Sequence, residues 1–286
     1  MQKVLILSGL SGSGKSSFAK ELMSKDKSYK RVNRDSIREM TINEWTPKSE
    51  HLTITIEFSL VQEILKNGFN CIIDDTNLSP KTLNKINSEL ERISKELNIG
   101  LEVSEKLIDT PLSECIKRDA LRPNPVGKKV ILDQYSKYMP KPNYSEWVAD
   151  KQKAILVDLD GTLAHMSNRS PFDYSKVKDD TCDVFVKDVV LKYYQDGYDI
   201  LVASGREDSC LDDTRDWLLK NEIPARKLFM RKTSDHRKDY IVKQEIYENE
   251  IKPNWSVFFC LDDRNQVIDM YRSLGLKVLQ CENGDF

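Results

Sequence analysis

The apolar run Ala154–Val157 ends in two aspartates, Asp158 and Asp160, and a Gly161-Thr162 turn. An apolar run of this length, closed by a polar turn, predicts a buried strand. Side chains two apart on a strand share a face, so we expect both carboxylates in one small volume where the strand stops. Two like charges at such a short distance need a cation or a proton between them. The pattern favours a carboxylate nucleophile with a neighbouring acid/base in a Mg²⁺ site, and a simple turn is the alternative.

A second phosphate signature, G-x-x-x-x-G-K-S, follows the apolar run Val4–Leu7. A strand before it and a helix after it are the confirming context of a P-loop, although a glycine turn that only caps a helix is the alternative. The glycines let backbone N–H groups wrap a triphosphate at the positive end of the helix. We expect Lys15 to reach the β- and γ-phosphates and Ser16 to ligate Mg²⁺. The expected nucleotide-binding residues are Gly9, Gly12, Ser13, Gly14, Lys15, Ser16 and Ser17.

Strand and helix patterns alternate along both halves, which predicts an α/β fold with mainly parallel sheets flanked by helices. Ser79-Pro80, for example, predicts a helix N-cap followed by proline. Other helices are expected from Lys15 and from Leu52. The prolines and polar residues of 140–153 predict a linker. The predicted domains are therefore 1–139 and 154–286, and the expected strands of the second are 154–158, 198–204, 227–230, 257–261 and 277–280.

Charge and cysteine content exclude several classes of protein. The chain has 44 basic and 46 acidic residues and a net charge of -2, so it is not a basic clamp for long nucleic acids. Any polynucleotide contact should be short, such as a strand end. The six cysteines are scattered without a C-x-x-C pair, which predicts reduced thiols in the cytoplasm and disfavours zinc. No apolar run approaches membrane-spanning length, so we expect no membrane partner.

Three polar groups in the first half are candidates for acceptor and phosphate binding. Asp35 and Arg38 share a helix face if a helix starts here, and they could serve as base and phosphate grip or as N-cap and solvated side chain. Asp74-Asp75-Thr76-Asn77 closes a strand, where it could position Mg²⁺ and an acceptor or cap a turn. Arg118 and Arg122, four apart, suit a lid over transferring phosphates or a solvated face.

In the second half, Asp158-x-Asp160-Gly161-Thr162 resembles the first motif of the haloacid-dehalogenase phosphatases. That resemblance implies that Asp158 attacks phosphorus and that Asp160 protonates the leaving oxygen. Mg²⁺ ligands would come from Asp158, Asp160 or the Leu159 carbonyl, together with Asp262 or Asp263. The further parts implied, in chain order, are Ser204 for phosphoryl oxygens and Lys243 as neutralising cation, with Arg169, Arg206 and Asp239 near the substrate.

Over nearly its full length the chain resembles the polynucleotide 5′-kinase/3′-phosphatases of the T-even bacteriophage type. The resemblance lies in the P-loop and in the groups around Asp35, Asp75, Arg118, Asp158, Ser204, Asp239 and Asp262, in that order. It implies that Asp35 is the base on a 5′-hydroxyl and that Arg38 contacts the acceptor's 3′-phosphate. It further implies that Arg122 stabilises the transferring phosphoryl group and that Asp75 and Thr76 help hold the acceptor.

The implied activity is transfer of the γ-phosphoryl group of ATP, or of another nucleoside triphosphate, to 5′-hydroxyl ends and removal of 3′-phosphates, including opening of 2′,3′-cyclic phosphates. Implied partners are Mg²⁺, single-stranded or nicked RNA or DNA ends, a ligase, and further copies of the chain as a tetramer in the host cytoplasm. Two alternatives remain at this point. One is a small-molecule kinase fused to a small-molecule phosphatase, and the other is an inactive adaptor that only binds strand ends.

Overall fold

Parallel strands form the centre of each of two units, Met1–Met139 and Pro140–Phe286, in this computed structural model. The structure describes residues 1–41, 44–139, 150–167, 169–170 and 173–284. Within those residues, no helix is both long enough and apolar enough to cross a membrane. The predicted α/β class with mainly parallel sheets is confirmed.

The first unit is a four-stranded parallel sheet in the order β2-β3-β1-β4 with helices around it. Its elements are β1 (Gln2–Ser8), α1 (Lys15–Lys25), β2 (Tyr29–Val32), α2 (Arg34–Thr41), α3 (Pro47–Lys66), β3 (Asn70–Asp74), α4 (Pro80–Leu97), β4 (Leu101–Leu107), α5 (Leu112–Ala120) and α6 (Lys128–Tyr138). Alternate residues of β1 face opposite sides, as the period of a strand requires. Val4 and Ile6 pack with α3 and α4, whereas Leu7 packs with Ala19 of α1.

The second unit is a five-stranded parallel sheet in the order β11-β10-β5-β8-β9, beside a small antiparallel pair, β6-β7. Its strands and α-helices are β5 (Gln152–Val157), β6 (Ala164–His165), β7 (Thr181–Cys182), α7 (Val184–Gln195), β8 (Asp199–Glu207), α8 (Leu211–Lys220), β9 (Ala225–Arg231), α9 (Asp239–Ile246), β10 (Trp255–Arg264), α10 (Asn265–Ser273) and β11 (Val278–Gly284). Ile155 and Val157 enter one core and Ala154 and Leu156 the other, so both faces of β5 are covered.

Several elements differ from the sequence predictions. The strand β5 begins at Gln152 and ends at Val157, so Asp158 lies just beyond it, and the predicted linker keeps only 150–151 among its described residues. Residues 140–149 of that linker lie outside the described part. The short strands β2, β6 and β7 were not predicted, because β2 is largely polar and the other two have only two residues each.

Helix α3 begins five residues before the predicted Leu52 because a capping box starts it. Thr46 Oγ1 accepts a hydrogen bond from the Ser49 N–H at 3.0 Å, and Ser49 Oγ accepts one from the Thr46 N–H at 2.8 Å. Pro47 follows at the first helical position, where its missing N–H costs nothing. Ser79 precedes α4 as predicted, but its side chain makes no capping hydrogen bond.

These two caps give a matched test of local stability. We expect Thr46→Ala to lower the free energy of unfolding by about 1 kcal/mol, because it leaves orphan N–H groups without their acceptor. Ser79→Ala should change it by much less, since no capping bond is lost. Urea unfolding followed by circular dichroism checks both, and equal destabilisation by the two substitutions would contradict this account of α3.

Candidate active sites

In the first unit, the loop after β1 closes around the ammonium group of Lys15. Lys15 Nζ donates to the carbonyl oxygens of Gly9 at 2.9 Å and Leu10 at 2.8 Å. Gly12 has φ +81°, and a Cβ there would collide with the Cys115 carbonyl, so only glycine fits this turn. Burial lowers the pKa of Lys15, while Asp74 and Asp75 oppose that shift. The loop is thus a built P-loop and not only a helix cap.

A cleft of ≈ 590 Å³ opens above this loop and is lined by most of the residues predicted for the kinase site. Gly9 and Ser13 do not line it: the Gly9 carbonyl accepts from Lys15, and the Ser13 carbonyl accepts from Arg118 Nη1 at 3.3 Å. The predicted residues that the cleft brings together are Gly12, Gly14, Lys15, Ser16, Ser17, Asp35, Arg38, Asp75, Thr76, Arg118 and Arg122.

Helix α6 contributes two lining residues, Gln134 and Tyr138, that sequence reasoning missed. Gln134 Oε1 accepts a hydrogen bond from the Ser11 N–H at 3.0 Å, and its Nε2 donates to Ser11 Oγ at 3.2 Å. Gln134 and Ser11 are 123 positions apart in the sequence, so no local pattern could have paired them. The P-loop is therefore tied to α6 by a side-chain amide.

Asp35 and Arg38 lie on one face of α2, as the spacing predicted. Arg38 Nη1 donates to Asp35 at 2.7 Å, and its Nε and Nη2 donate to Glu50 at 2.9 and 2.7 Å. Asn33, not Asp35, caps this helix, because Asn33 Oδ1 accepts from the Ser36 N–H at 3.1 Å. The Asp35 side chain is 72% exposed, so an acceptor could reach its carboxylate.

At the end of β3, Asp74 and Asp75 turn to different partners. Asp75 Oδ1 accepts from the Arg34 N–H at 3.0 Å, and burial together with Glu57 raises the Asp75 pKa. Asp74 Oδ2 accepts from Arg31 Nε at 2.5 Å, and Arg31 Nη2 donates to Ser16 Oγ at 3.3 Å. Asp74 Oδ1 is buried without a hydrogen-bond partner among the described residues. Ser16 and Asp74 are hard oxygen donors of the kind that fits Mg²⁺.

The paired arginines are anchored and are not a plain solvated face. Arg118 Nε donates to Glu114 at 2.6 Å, in addition to its contact with the P-loop. Arg122 lies 3.5 Å from Asp119, a buried carboxylate that also accepts from the Gly127 N–H at 2.9 Å. The arrangement points two guanidinium groups into the cleft, where they could neutralise phosphate charge.

In the second unit, the buried ammonium of Lys243 lies among three carboxylates. Its Nζ is 2.8 Å from Asp158, 2.9 Å from Asp262 and 3.4 Å from Asp239. Burial disfavours the ammonium, but the three acids outweigh it and hold the Lys243 pKa well above its ordinary value. Burial also raises the Asp158 pKa, which Lys243 opposes and Asp262 reinforces. A second cation would favour the ionised nucleophile.

Such a cation has ligands ready at the carboxyl ends of β5 and β10. Carboxylate oxygens of Asp158, Asp262 and Asp263 lie within 4.8 Å of one another, and all three residues are buried. Thr162 Oγ1 donates to Asp263 at 3.3 Å and orients it. Gly161, at φ +87°, leaves room for that carboxylate, which a Cβ would strike. Three carboxylate groups with hard oxygen atoms, whose negative charge is only partly compensated, suit Mg²⁺.

Two of the predicted metal ligands are not placed in this cluster. The Leu159 carbonyl accepts from the N–H groups of Thr162 at 3.1 Å and Ala164 at 2.7 Å, so the tight turn has already used its lone pairs. The carboxylate of Asp160 instead accepts from Arg206 Nε and Nη2, each at 2.8 Å, and from Arg169 Nη2 at 2.8 Å. Because the strand stops at Val157, the two aspartates do not share one ion site as strand geometry predicted.

Asp180 is a site residue that sequence reasoning missed. Its carboxylate accepts from Arg169 Nε and Nη2 and from Arg206 Nη2, all at 2.7 Å. The Asp180 side chain is completely buried, and it follows a 3-10 helix, Tyr174–Asp179, with no motif to mark it. Two arginines therefore stand between two carboxylates, and one of these, Asp160, is partly open to solvent.

The remaining predicted residues take supporting positions. Ser204, fully buried, accepts at Oγ from the Arg206 N–H at 3.2 Å. Arg206 Nη1 is buried without a hydrogen-bond partner among the described residues, which leaves a donor for a phosphate oxygen. Asp239, predicted near the substrate, lies between Lys243, Arg231 at 3.2 Å and Arg264 at 3.7 Å. It holds the cations of this site in place.

Together the folds and sites define a P-loop phosphotransferase unit joined in one chain to a phosphohydrolase unit with a buried carboxylate cluster. The family model for the polynucleotide kinase PNKP phosphatase domain matches residues 152–286, and an AAA domain model matches residues 4–140. A chain of the solved Pnkp1/Rnl/Hen1 RNA repair complex is 33% identical over 100% of this chain and 97% of that chain, with a TM-score of 0.50. The chain belongs to the polynucleotide kinase/phosphatase family, with the kinase unit first.

Two curated relatives are longer than the matched region. A putative bifunctional polynucleotide kinase/RNA ligase of Autographa californica nuclear polyhedrosis virus is 31% identical over 96% of this chain and 41% of its own length. L-seryl-tRNA(Sec) kinase of Methanococcus maripaludis is 30% identical over 47% of this chain and 52% of its own length. The chain therefore spans only about half of each curated relative.

The Asp180 cluster gives one prediction with a neighbour as control. We expect Asp180→Asn to lower phosphatase turnover by roughly 10-fold to 100-fold, because hydrogen bonds to charged groups contribute about 1.5–3 kcal/mol each. Asp179→Asn alters an exposed carboxylate next to it and should leave turnover unchanged. Steady-state release of inorganic phosphate from a phosphoester measures both, with the thermal unfolding midpoint as the check on folding. Equal loss in the two variants would contradict the role assigned to Asp180.

The carboxylate cluster gives a prediction on metal binding. Mg²⁺ without nucleotide should stabilise the wild-type protein, by on the order of 2–3 kcal/mol at a large excess over its dissociation constant. Asp263→Asn should lose most of that Mg²⁺-dependent stabilisation. It should not destabilise the metal-free protein, because it removes one of several like charges that repel one another. Asp212→Asn, 93% exposed on α8, should keep the increment. Calorimetry with and without EDTA measures it, and an undiminished Mg²⁺ effect in Asp263→Asn would refute the assignment.

Proposed function

We propose that this chain heals nucleic-acid ends, with transfer of a nucleotide's γ-phosphoryl group to a 5′-hydroxyl in the first unit and removal of a 3′-phosphate in the second. The main support for this proposal is that each sheet brings a complete set of charged groups to the carboxyl ends of its strands. One set suits phosphoryl transfer to a hydroxyl, and the other suits phosphoester cleavage through a carboxylate nucleophile.

In the first unit, catalysis is mainly positioning and charge neutralisation. Lys15, Arg118 and Arg122 hold the phosphates of ATP or another triphosphate above the P-loop. Asp35 accepts the proton of the 5′-hydroxyl as the hydroxyl oxygen attacks the γ-phosphorus. The bond from that phosphorus to the bridging β-phosphate oxygen breaks, and the nucleoside diphosphate leaves. Arg38, fixed by Glu50, holds a phosphate of the acceptor strand. Asp75 and Thr76 line the same cleft on the acceptor side.

In the second unit, an Asp158 oxygen attacks phosphorus, the bond to the 3′-oxygen breaks, and an aspartyl-phosphate forms. Asp160 can give a proton to the leaving oxygen only in its acid form, free of the arginine contacts that it makes without substrate. It then takes a proton from the water that attacks the aspartyl-phosphate, and inorganic phosphate leaves. Ser204, Arg206 and Arg169 hold the phosphoryl group and its strand. Lys243 favours the ionised form of the nucleophile and opposes the burial that raises its pKa. Mg²⁺, held by Asp158, Asp262 and Asp263, would neutralise the phosphoryl oxygens.

We propose RNA ends as the preferred substrate and a ligase as the partner protein. The viral relative is described as both a polynucleotide kinase and an RNA ligase, and the solved relative belongs to an RNA repair complex. A 5′-phosphate and a 3′-hydroxyl are the ends that ligases join, so the products of the two units suit that partner. DNA ends, opening of 2′,3′-cyclic phosphates and assembly into a homo-oligomer remain predictions.

One substrate tests both activities. A short oligonucleotide with a 5′-hydroxyl and a 3′-phosphate is incubated with ATP and Mg²⁺, and its ends are read by mass spectrometry. We expect wild type to add the 5′-phosphate and remove the 3′-phosphate, Lys15→Ala to lose only the first reaction, and Asp158→Asn to lose only the second. RNA and DNA versions run in parallel compare the two substrates.

The alternatives give different results in that experiment. Unchanged oligonucleotide ends with intact turnover of small phosphoesters would favour a small-molecule kinase and phosphatase. Binding of the oligonucleotide without turnover of any substrate would favour an inactive adaptor. Either result overturns the proposed function.

A further inference from the structure

Trp45 is a large aromatic side chain left 65% exposed at the turn between α2 and α3. Large aromatic residues are usually mostly buried, so an exposed tryptophan at a defined position needs a reason. It immediately precedes Thr46, whose capping box with Ser49 fixes the start of α3. The indole is therefore presented by an anchored turn.

Trp45 is connected to the acceptor side of the kinase cleft. It directly precedes Thr46, the N-cap of the helix whose first turn carries Glu50. Arg38 is the main cause that lowers the pKa of the Glu50 carboxylate, and the neighbouring Trp45 side chain adds to that shift. Glu50 accepts the two hydrogen bonds from Arg38, and Arg38 in turn holds Asp35 at 2.7 Å. The carboxylate that fixes the guanidinium proposed to bind an acceptor phosphate thus lies in the helix turn that follows the exposed indole.

We propose that Trp45 is a stacking platform for a nucleobase near the 5′ end of a single-stranded acceptor. The inference rests on the proposed kinase function and deepens it. A strand whose phosphate binds Arg38 carries bases within a nucleotide's length of that contact. The exposed indole ring offers an apolar π-face, which stacks on any base without reading sequence. Bases are free to stack on protein only where they are unpaired.

The experiment compares acceptors that differ only in one base. The 5′-hydroxyl oligonucleotides are a normal strand and strands that are abasic at the first or second nucleotide, with saturating ATP. We expect wild type to show a KM about tenfold higher for one abasic strand, since stacking of a base contributes about 1–3 kcal/mol. Trp45→Ala should raise the KM for the normal strand to that level and abolish the discrimination, and Trp45→Phe should retain part of it. The KM for ATP should not change.

Leu219→Ala is the matched control, because it removes an apolar side chain that is 73% exposed on the phosphatase unit. It should leave the discrimination intact. The inference is overturned if Trp45→Ala keeps the wild-type discrimination, or if it weakens normal and abasic strands equally. It is also overturned if the discrimination persists while the sedimentation coefficient changes, since Trp45 would then cover another copy of the chain. Absence of oligonucleotide phosphorylation in wild type would instead refute the proposed function.

Discussion

The ammonium of Lys243, buried among three carboxylates, is the interaction on which the second unit depends. Carboxylates of Asp158, Asp239 and Asp262 are brought together where parallel strands end, and without a cation their repulsion would oppose the fold. Because α9 begins at Asp239, its first turn supplies an acid and its second supplies the lysine. The helix that packs on this end of the sheet therefore also supplies the positive charge that favours the ionised form of Asp158.

In both units an arginine side chain is fixed in the same way. In each, a guanidinium facing the substrate region is fixed by a carboxylate outside the recognised motifs: Glu50 for Arg38 and Asp180 for Arg206. A long, flexible side chain loses entropy when it binds a phosphate, and prior fixing on a carboxylate lowers that loss. The carboxylates thus fix the arginine geometry in the absence of a substrate, and each lies outside the element that carries its arginine.

Much of this architecture could be predicted from the sequence, and the failures have physical causes. Continuous apolar runs that end in polar or glycine-containing turns located the central strands and the two candidate sites, since backbone geometry is local. Asp180, Glu50 and Gln134 were missed because tertiary contacts alone bring them to their partners. The Leu159 carbonyl was a wrong metal ligand because the Gly161 turn folds two N–H groups onto it. The start of α3 was misplaced because its cap depends on Ser49, which has no strong pattern.

Arg31 gives the kinase cleft its own internal counter-ion. Its guanidinium spans Asp74 and the Ser16 hydroxyl, two oxygen donors at the foot of the P-loop. A divalent ion that ligated both would replace a positive charge already there, so its entry would be an exchange and not an addition. Asp74 is therefore already paired with a positive charge, and a metal ion that bound it would compete with Arg31 for this carboxylate.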